Sequence, residues 1–222
     1  NEAAARACPH HRDPLVGKAA VFTAASEAFA QKNTGASIAE TIERFKPVIA
    51  RAHAAGLVVR GYLSTVIACP ISGAVDPADV AVWSNELAEI GCDELDLGDT
   101  IGAATPETLR TMLEYVAAVC PLDGSRLPIT LHLHDTHGTA AECVRVALRM
   151  GLRSFDSSAG GLGGCPYAST AAGRAPGNIS TQALVAAIHA QGMGTGVRPE
   201  ALDAASRYAV EIAAAARSDA AA

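Results

Sequence analysis

One cysteine lies inside a glycine-rich segment, and a pair of histidines lies about thirty residues before it. The segment covers residues 157–168, SSAGGLGGCPYA, and its thiol is Cys165. The glycines at 160, 161, 163 and 164 allow a loop to move and let its backbone approach a ligand closely. A thiol on such a loop can transfer a proton or attack a carbon atom. The pattern predicts a lid, with Gly161, Gly163 and Gly164 lining it and Cys165 as a catalytic group.

The histidine pair, His132 and His134, lies in the stretch PITLHLH at residues 128–134. Side chains alternate faces along a strand, so two residues that are two positions apart point to the same side. Two imidazoles on one side make half of a divalent-metal site. Core or surface histidines are the alternative interpretation. The glycine-cysteine loop that follows favours the metal site.

Two further polar residues follow predicted strands or turns. Asp99 ends a strand in LGDTIG, where a carboxylate can bind a metal, orient a base or cap the next turn. Asn178 follows Gly177, and an asparagine in that position is usually part of a turn or a helix cap. Its side-chain oxygen could also complete the coordination shell of a metal ion. Cys69 lies in a loop after a strand but has no glycine-rich lid around it, so it is the weaker thiol candidate.

Apolar runs typical of buried strands alternate with helical patterns about every 35 residues. Strands are predicted at 18–25, 58–66, 94–98, 128–134 and 153–157. Helices are predicted from the capping box Ser37–Glu40, after Asp76-Pro77 and Thr105-Pro106, and at 139–150, 181–191 and 199–216. Repeated strand–helix units indicate an α/β protein with a parallel sheet.

An eight-stranded TIM barrel and an open doubly wound sheet both satisfy this order. Polar residues collect where strands end, as in barrel active sites, and no G-x-G-x-x-G follows the first strand. Both observations favour the barrel. With about five units visible, we expect a partial TIM barrel that lacks its first three units, with extra C-terminal helices. Residues 1–222 are predicted to form one catalytic domain, with a helix and an alanine-rich tail at 199–222.

Composition excludes some partners. Lys and Arg total 17 against 23 Asp and Glu, a net charge of -6, which argues against nucleic acid and anionic membranes. No apolar run reaches the ~20 residues needed to cross a bilayer. The six cysteines are irregularly spaced without a C-x-x-C, which favours reduced thiols and a cytoplasmic protein. Cys92, Cys120 and Cys143 are expected in the core.

Five strings occur in order: VRGYLSTVIACP, LGDTIGAATPETL, LHLHDTHG, FDSSAGGLGGCPYA and GNIST. They resemble the corresponding segments of the 3-hydroxy-3-methylglutaryl-CoA lyase family, over about residues 18–197. The resemblance implies cleavage of that acyl-CoA to acetyl-CoA and acetoacetate with Mg²⁺ or Mn²⁺, in ketone-body metabolism and leucine degradation. The metal would act as a Lewis acid on the substrate's tertiary hydroxyl and a neighbouring carbonyl. A homodimer is a possible assembly.

The resemblance also implies residue roles. His132, His134 and Asn178 match the metal ligands, Cys165 matches the loop cysteine, and Asp99 matches an active-site aspartate. His132 is in addition the expected proton-transfer group. The family's Arg-Asp-Gly segment on the first strand is not found, and the segment Tyr167–Asn178 is longer than the family's usual loop. The alternatives are a related condensing enzyme, of the isopropylmalate or homocitrate synthase kind, and a non-catalytic barrel fragment.

Overall fold

The computed structural model describes residues 16–164, 169–170, 173–174 and 177–219. It contains five longer strands, which are β1 (Lys18–Ala24), β2 (Val58–Ser64), β3 (Glu94–Asp99), β4 (Ile129–Leu133) and β5 (Ser154–Asp156). The α-helices are α1 (Glu27–Thr34), α2 (Ile38–Ala54), α3 (Pro77–Glu89), α4 (Pro106–Ala117), α5 (Ala140–Arg149), α6 (Thr181–His189) and α7 (Pro199–Asp219). Each predicted strand is present, within a few residues of its expected ends.

The five strands form one parallel sheet in chain order, β1-β2-β3-β4-β5. The strand–helix alternation therefore gives the parallel sheet that the sequence predicts. Two short antiparallel hairpins, Ala68–Cys69 with Gly73–Ala74 and Ser169–Thr170 with Gly173–Arg174, lie outside this sheet. Within the described residues β1 and β5 each pair on one side only, so the sheet is open at these two strands.

Local capping signals begin the helices where the sequence predicts them. The Ser37 hydroxyl accepts the Glu40 amide, and the Glu40 carboxylate accepts the Ser37 amide in return, which is a complete capping box. Asp76 and Thr105 cap helices whose first residue is proline. These caps satisfy amide groups that have no partner within the helix.

Helix α1 was not predicted. It has only 8 residues and lies directly after β1, so its alanines and phenylalanine look like a continuation of the apolar run. The signals that mark it are its two ends. Ser26 caps the first turn, and Gly35 adopts a left-handed φ of 66° after the last one.

The two faces of the sheet differ in chemistry. One face packs on the helices through the residues at alternate strand positions, all buried: Val21, Val59, Leu63, Leu95, Leu97, Ile129, Leu131 and Leu133. The opposite face is the one that a closed barrel turns inward. It carries the polar set Lys18, Arg60, Glu94, Asp96, Thr130, His132, Ser154 and Asp156, whose register is fixed by strand pairing. The functional side chains therefore lie on this inward face.

The three predicted core cysteines, Cys92, Cys120 and Cys143, are buried and free. Cys69 is also buried, and its sulfur accepts the amides of Ile71 and Ser72 at 3.3 and 3.4 Å. Among the described helices, none combines the length and apolarity that a bilayer crossing requires.

Candidate active site

The two histidines lie together at the carboxyl end of β4. His132 is the fourth residue of that strand, and His134 follows its last residue. Their rings meet edge to face, with centroids 5.3 Å apart and an interplanar angle of 89°. His134 is 7% exposed, so one imidazole is buried beside the other. The strand parity used in the sequence argument thus brings both rings into one site.

Hydrogen bonds fix the tautomer of His134. Its Nδ1 lies 2.7 Å from the Thr100 carbonyl oxygen and 3.0 Å from that of Asp99. A carbonyl oxygen only accepts, so Nδ1 must carry the proton and donate it. The lone pair is then at Nε2. A ring held by backbone carbonyls through one nitrogen and free at the other is the usual arrangement of a metal-binding histidine.

Asn178 is held next to the histidines by backbone pairing. It forms an antiparallel bridge with His134, closed by the Asp135 amide to the Gly177 carbonyl and by the Ile179 amide to the Leu133 carbonyl, both 2.9 Å. Its side chain is close enough to interact with both imidazoles. The side-chain amide nitrogen donates to the Leu162 carbonyl at 2.9 Å. The Oδ1 atom is buried and has no hydrogen-bond partner among the described residues.

The glycine-rich loop packs against Gly177 and Asn178 through its described glycines. A methyl group added to Gly164 would lie 2.8 Å from the Cα of Gly177, and one added to Gly177 would lie 1.9 Å from the Gly163 carbonyl oxygen. Gly163 and Gly164 have φ values of 89° and 123°, which favour glycine. Gly161 and Asn178 are also neighbours. Cys165, the predicted catalytic thiol, lies outside the described residues.

Substitution of Gly177 by alanine should disturb this contact. A Cβ atom 1.9 Å from a backbone oxygen forces the glycine loop and Asn178 apart. We expect Gly177→Ala to lose about 1–3 kcal/mol of stability, the usual cost of overpacking, and to weaken Mn²⁺ binding. Urea unfolding and Mn²⁺ titration measure both. Gly194→Ala is the control, since no atom lies within 4 Å of that added methyl. Equal results for the two variants would contradict the contact.

Asp99 is placed differently from the histidines. It pairs with Leu133 in register, so its side chain lies on the face opposite His132. The carboxylate is 1% exposed and accepts the amides of Ala103 and Ala104 at 3.0 and 2.9 Å. Burial raises the pKa of this carboxyl, and the amide hydrogen bonds oppose that shift. The structure therefore does not bring the Asp99 carboxylate to the histidine pair. The backbone carbonyl of Asp99 accepts a hydrogen bond from Nδ1 of His134, so Asp99 contributes to the site by helping to orient that imidazole.

The structure adds a cluster that was not singled out from the sequence. Asp96, His132 and Asp156 lie on three neighbouring strands and offer donor atoms within 4.8 Å of one another. Arg60 on β2 joins them. Its Nη1 donates to Asp96 at 3.1 Å and to both oxygens of Asp156 at 3.3 Å, and its Nε donates to Glu94 at 2.9 Å. The guanidinium supplies positive charge to this group of carboxylates.

The pKa values of the two histidines are shifted in opposite directions by their surroundings. The hydrogen-bonding interaction with Asp156 raises the pKa of His132 against its burial. Burial and the neighbouring His132 lower the pKa of His134. Burial, followed by the Asp156 carboxylate, raises the pKa of Asp96 to about 7, and the interaction with His132 lowers that of Asp156 to about 2. His134 is thus disposed to stay neutral, as a ligand requires, and His132 is the more basic ring.

The Asp96 carboxyl should make stability depend on pH. A carboxyl with a raised folded-state pKa stabilises the fold below its unfolded pKa of 3.8, and this contribution is lost as pH rises to about 7. Asp96→Asn removes the titration. We expect its stability relative to the parent protein to rise between pH 5 and pH 8 by on the order of 1–3 kcal/mol. Urea unfolding at several pH values measures this. Exposed Asp203→Asn is the control, and parallel curves for Asp96→Asn and the parent would contradict the expectation.

The donor set fits a divalent cation. His134 presents the lone pair of its Nε2, and Asn178 presents a buried oxygen without a hydrogen-bond partner among the described residues. His132 lies edge to face with His134 at the same site. Imidazole nitrogens and amide or carboxylate oxygens are ligands of Mn²⁺ and, through oxygen, of Mg²⁺. The residues present can hold such an ion.

Strand parity could have placed Asp156 and Arg60 on the inward face, although it does not set the level of Asp156 against His132. Asp156 ends the run RSFD and lies at the His132 level of the next strand, and Arg60 lies two residues into β2. Polar residues within the strands were missed because only polar residues at strand ends were taken as site candidates.

Fold and site together define an α/β protein of the TIM-barrel type, with a histidine–asparagine site at the carboxyl end of its strands. The family model described as HMGL-like matches residues 10–208, and the chain belongs to this family. The resemblance to 3-hydroxy-3-methylglutaryl-CoA lyases is confirmed at this level.

Curated relatives support this family assignment. The hydroxymethylglutaryl-CoA lyase of Pseudomonas mevalonii is 46% identical over 183 residues, which are 82% of this chain and 58% of the relative. The 3-hydroxy-3-isohexenylglutaryl-CoA/hydroxy-methylglutaryl-CoA lyase of Pseudomonas aeruginosa is 43% identical over 86% of this chain and 62% of its own. The HMG-CoA lyase structure from Brucella melitensis is similar at a TM-score of 0.82 and 43% identity, over 88% of this chain and 66% of that one. The chain spans between half and two thirds of the length of these proteins.

Proposed function

We propose that this chain carries the metal-binding and thiol-bearing part of a lyase that cleaves 3-hydroxy-3-methylglutaryl-CoA to acetyl-CoA and acetoacetate. The observation that carries the proposal is that His132, His134 and Asn178 lie together and that Asn178 packs against Gly161 and Gly163 of the glycine-rich loop. The names of relatives at 43–46% identity support the substrate.

His134 and Asn178 are proposed as the anchoring metal ligands, with His132 as a further ligand. A bound Mg²⁺ or Mn²⁺ would supply Lewis-acid polarisation of the substrate's tertiary hydroxyl and carbonyl oxygens. His134 suits this role because its Nδ1 is committed to backbone carbonyls, which leaves Nε2 for a ligand.

The reaction needs a proton acceptor and a proton donor. A base takes the proton of the C3 hydroxyl, and the C2–C3 bond breaks as the C3 oxygen becomes a ketone. The bonding electrons remain on C2 as the enolate of acetyl-CoA, which must then receive a proton. His132 is proposed as the base. Because a ring that donates Nδ1–H has one lone pair, ligation and proton transfer compete for its Nε2.

Cys165 is proposed as the group that protonates the enolate carbon. It follows Gly164 directly in the chain, and Gly164 contacts Gly177, the neighbour of Asn178. A loop attached at this point can close over the substrate and exclude water, which protects an enolate from solvent. Asp99 is proposed as a positioning residue, acting through the carbonyl that holds His134. An acyl-CoA is the proposed partner, and a homodimer is a proposed assembly.

The test is product formation by the purified, reduced chain. It is incubated with 3-hydroxy-3-methylglutaryl-CoA and Mn²⁺ or Mg²⁺, and acetoacetate and acetyl-CoA are measured. We expect equal amounts of both, dependent on the metal and lost with chelator. Condensation of acetyl-CoA with a 2-oxo acid would instead identify a synthase. Metal binding without any turnover would identify a non-catalytic fragment.

A further inference from the structure

One nitrogen of His132 has an unusual environment. Its Nδ1 is buried and forms no hydrogen bond of ordinary length with any described residue. Its recorded ion-pair partner is Asp156, whose Oδ2 lies 3.7 Å away. A buried donor left without an acceptor costs about 1–3 kcal/mol. A small ring rotation toward Asp156 would remove that cost, and hydrogen bonds at catalytic residues are often long before substrate binds.

The backbone fixes Asp156 in this position. His132 and Asp156 are direct partners on the parallel strands β4 and β5, so their side chains leave the same face at the same level. The register is set by the preceding pairs, Thr130 with Ser154 and Leu131 with Phe155, and a slip by one residue would turn Asp156 to the helix-covered face. The pairing of β4 with β5, and not the conformation of a loop, therefore places the Asp156 carboxylate beside His132.

Arg60 fixes the carboxylate's direction. Its Nη1 donates to both oxygens of Asp156 at 3.3 Å, and the same guanidinium donates to Glu94 and Asp96. With its side chain 16% exposed, Arg60 is itself held in place by three carboxylates. Charge-assisted hydrogen bonds of this kind hold a carboxylate more firmly than neutral ones do.

We propose that Asp156, held by Arg60, is a positioning residue that keeps the proton of His132 on Nδ1 and directs the Nε2 lone pair into the active site. A carboxylate only accepts, so its partner nitrogen must donate. His134 is fixed in the same sense by the carbonyls of Asp99 and Thr100. Both rings then present Nε2 to one place. The expected effect on turnover rests on the proposed function, whereas the expected tautomer of His132 does not.

A cation bound directly between Asp96, His132 and Asp156 is the competing interpretation of this cluster. The Arg60 guanidinium lies 3.1–3.3 Å from both carboxylates and already supplies the positive charge there. A divalent ion would have to displace it or sit beside it, with repulsion between like charges. The carboxylates are therefore better suited to hold Arg60 and His132.

The tautomer can be observed without substrate or metal. Long-range ¹H–¹⁵N spectra of the metal-free chain at pH 8 distinguish Nδ1–H from Nε2–H rings, and His132→Gln identifies the His132 signals. We expect the Nδ1–H form in the parent protein. In Asp156→Asn the amide accepts less strongly and can also donate, so the Nε2–H form should gain at least several-fold. Glu94→Gln is the matched control, because Glu94 contacts Arg60 and not His132.

Turnover gives the second readout. Asp156→Asn should lower kcat about 10- to 100-fold, the usual effect of removing a carboxylate behind a functional histidine, with KM within about threefold. Glu94→Gln should change kcat by less than threefold. A purely structural role would lower the folded fraction in both variants and leave the His132 tautomer unaltered.

Two results overturn the inference: an Nε2–H ring in the parent protein, or identical His132 spectra in the parent and Asp156→Asn. If Asp156→Asn does not fold, the parent spectrum still decides the tautomer, and Asp156→Glu replaces the variant. If the parent chain forms no acetoacetate but shows the Nδ1–H ring, the proposed function fails while the positioning by Asp156 stands.

Discussion

Replacement of His134 by alanine is expected to lower the affinity for Mn²⁺ by about 100-fold or more. Loss of a residue that only supports a metal ligand typically costs 10- to 100-fold, and loss of the ligand itself should cost at least as much. His134 is the better anchor of the two histidines because backbone carbonyls fix its ring and because burial lowers its pKa, which keeps the lone pair available.

The measurement is a Mn²⁺ titration followed by electron paramagnetic resonance, which reports free ion and does not depend on turnover. His189→Ala is the matched control, since that imidazole is exposed on α6, away from the site. His132→Ala should lose turnover by about 10²- to 10⁴-fold, the range for a general base, and lose less affinity than His134→Ala. Unchanged affinity in His134→Ala would contradict the ligand assignment.

The features that the sequence predicts are those set by residues close together in the chain. The strands, the capped helices and the shared direction of His132 and His134 follow from local patterns, and all are present. Helix α1 was missed because 8 residues are too few to show a helical period against an apolar run. Its capping serine and terminal glycine are also local signals and could have been used.

The site residues that sequence analysis missed depend on pairing between distant segments. Asp156 approaches His132 only because β4 and β5 pair in one register, and no local pattern sets that register. Asn178 is typical of a turn by its neighbours, yet backbone pairing with His134 brings it to the histidines. The family resemblance, and not the spacing, identified it. Asp99 shows the converse, because strand parity sets it with Leu133 on the helix-covered face although its position at a strand end suggested the site.

Replacement of Cys165 by serine is expected to lower acetoacetate formation by about 10³-fold while Mn²⁺ affinity stays within about twofold. A hydroxyl is a far weaker acid than a thiol and is a poor proton donor to an enolate, and general acid–base groups contribute about 10²- to 10⁴-fold. The proposed metal ligands His134 and Asn178 are fixed by backbone pairing on their own side of the loop, so the serine leaves them in place.

Serine at Cys69 separates this effect from a general loss of thiols. Cys69 lies in the short hairpin with Gly73–Ala74, and its sulfur is buried and accepts the amides of Ile71 and Ser72. We expect Cys69→Ser to retain turnover within a few-fold. Alkylation provides an independent readout, because iodoacetamide should inactivate the parent enzyme and leave the residual activity of Cys165→Ser unchanged. Full turnover in Cys165→Ser would remove the thiol from the mechanism and leave the glycine loop with a role in closure alone. Loss of metal binding in the same variant would instead place the cysteine among the groups that hold the site together.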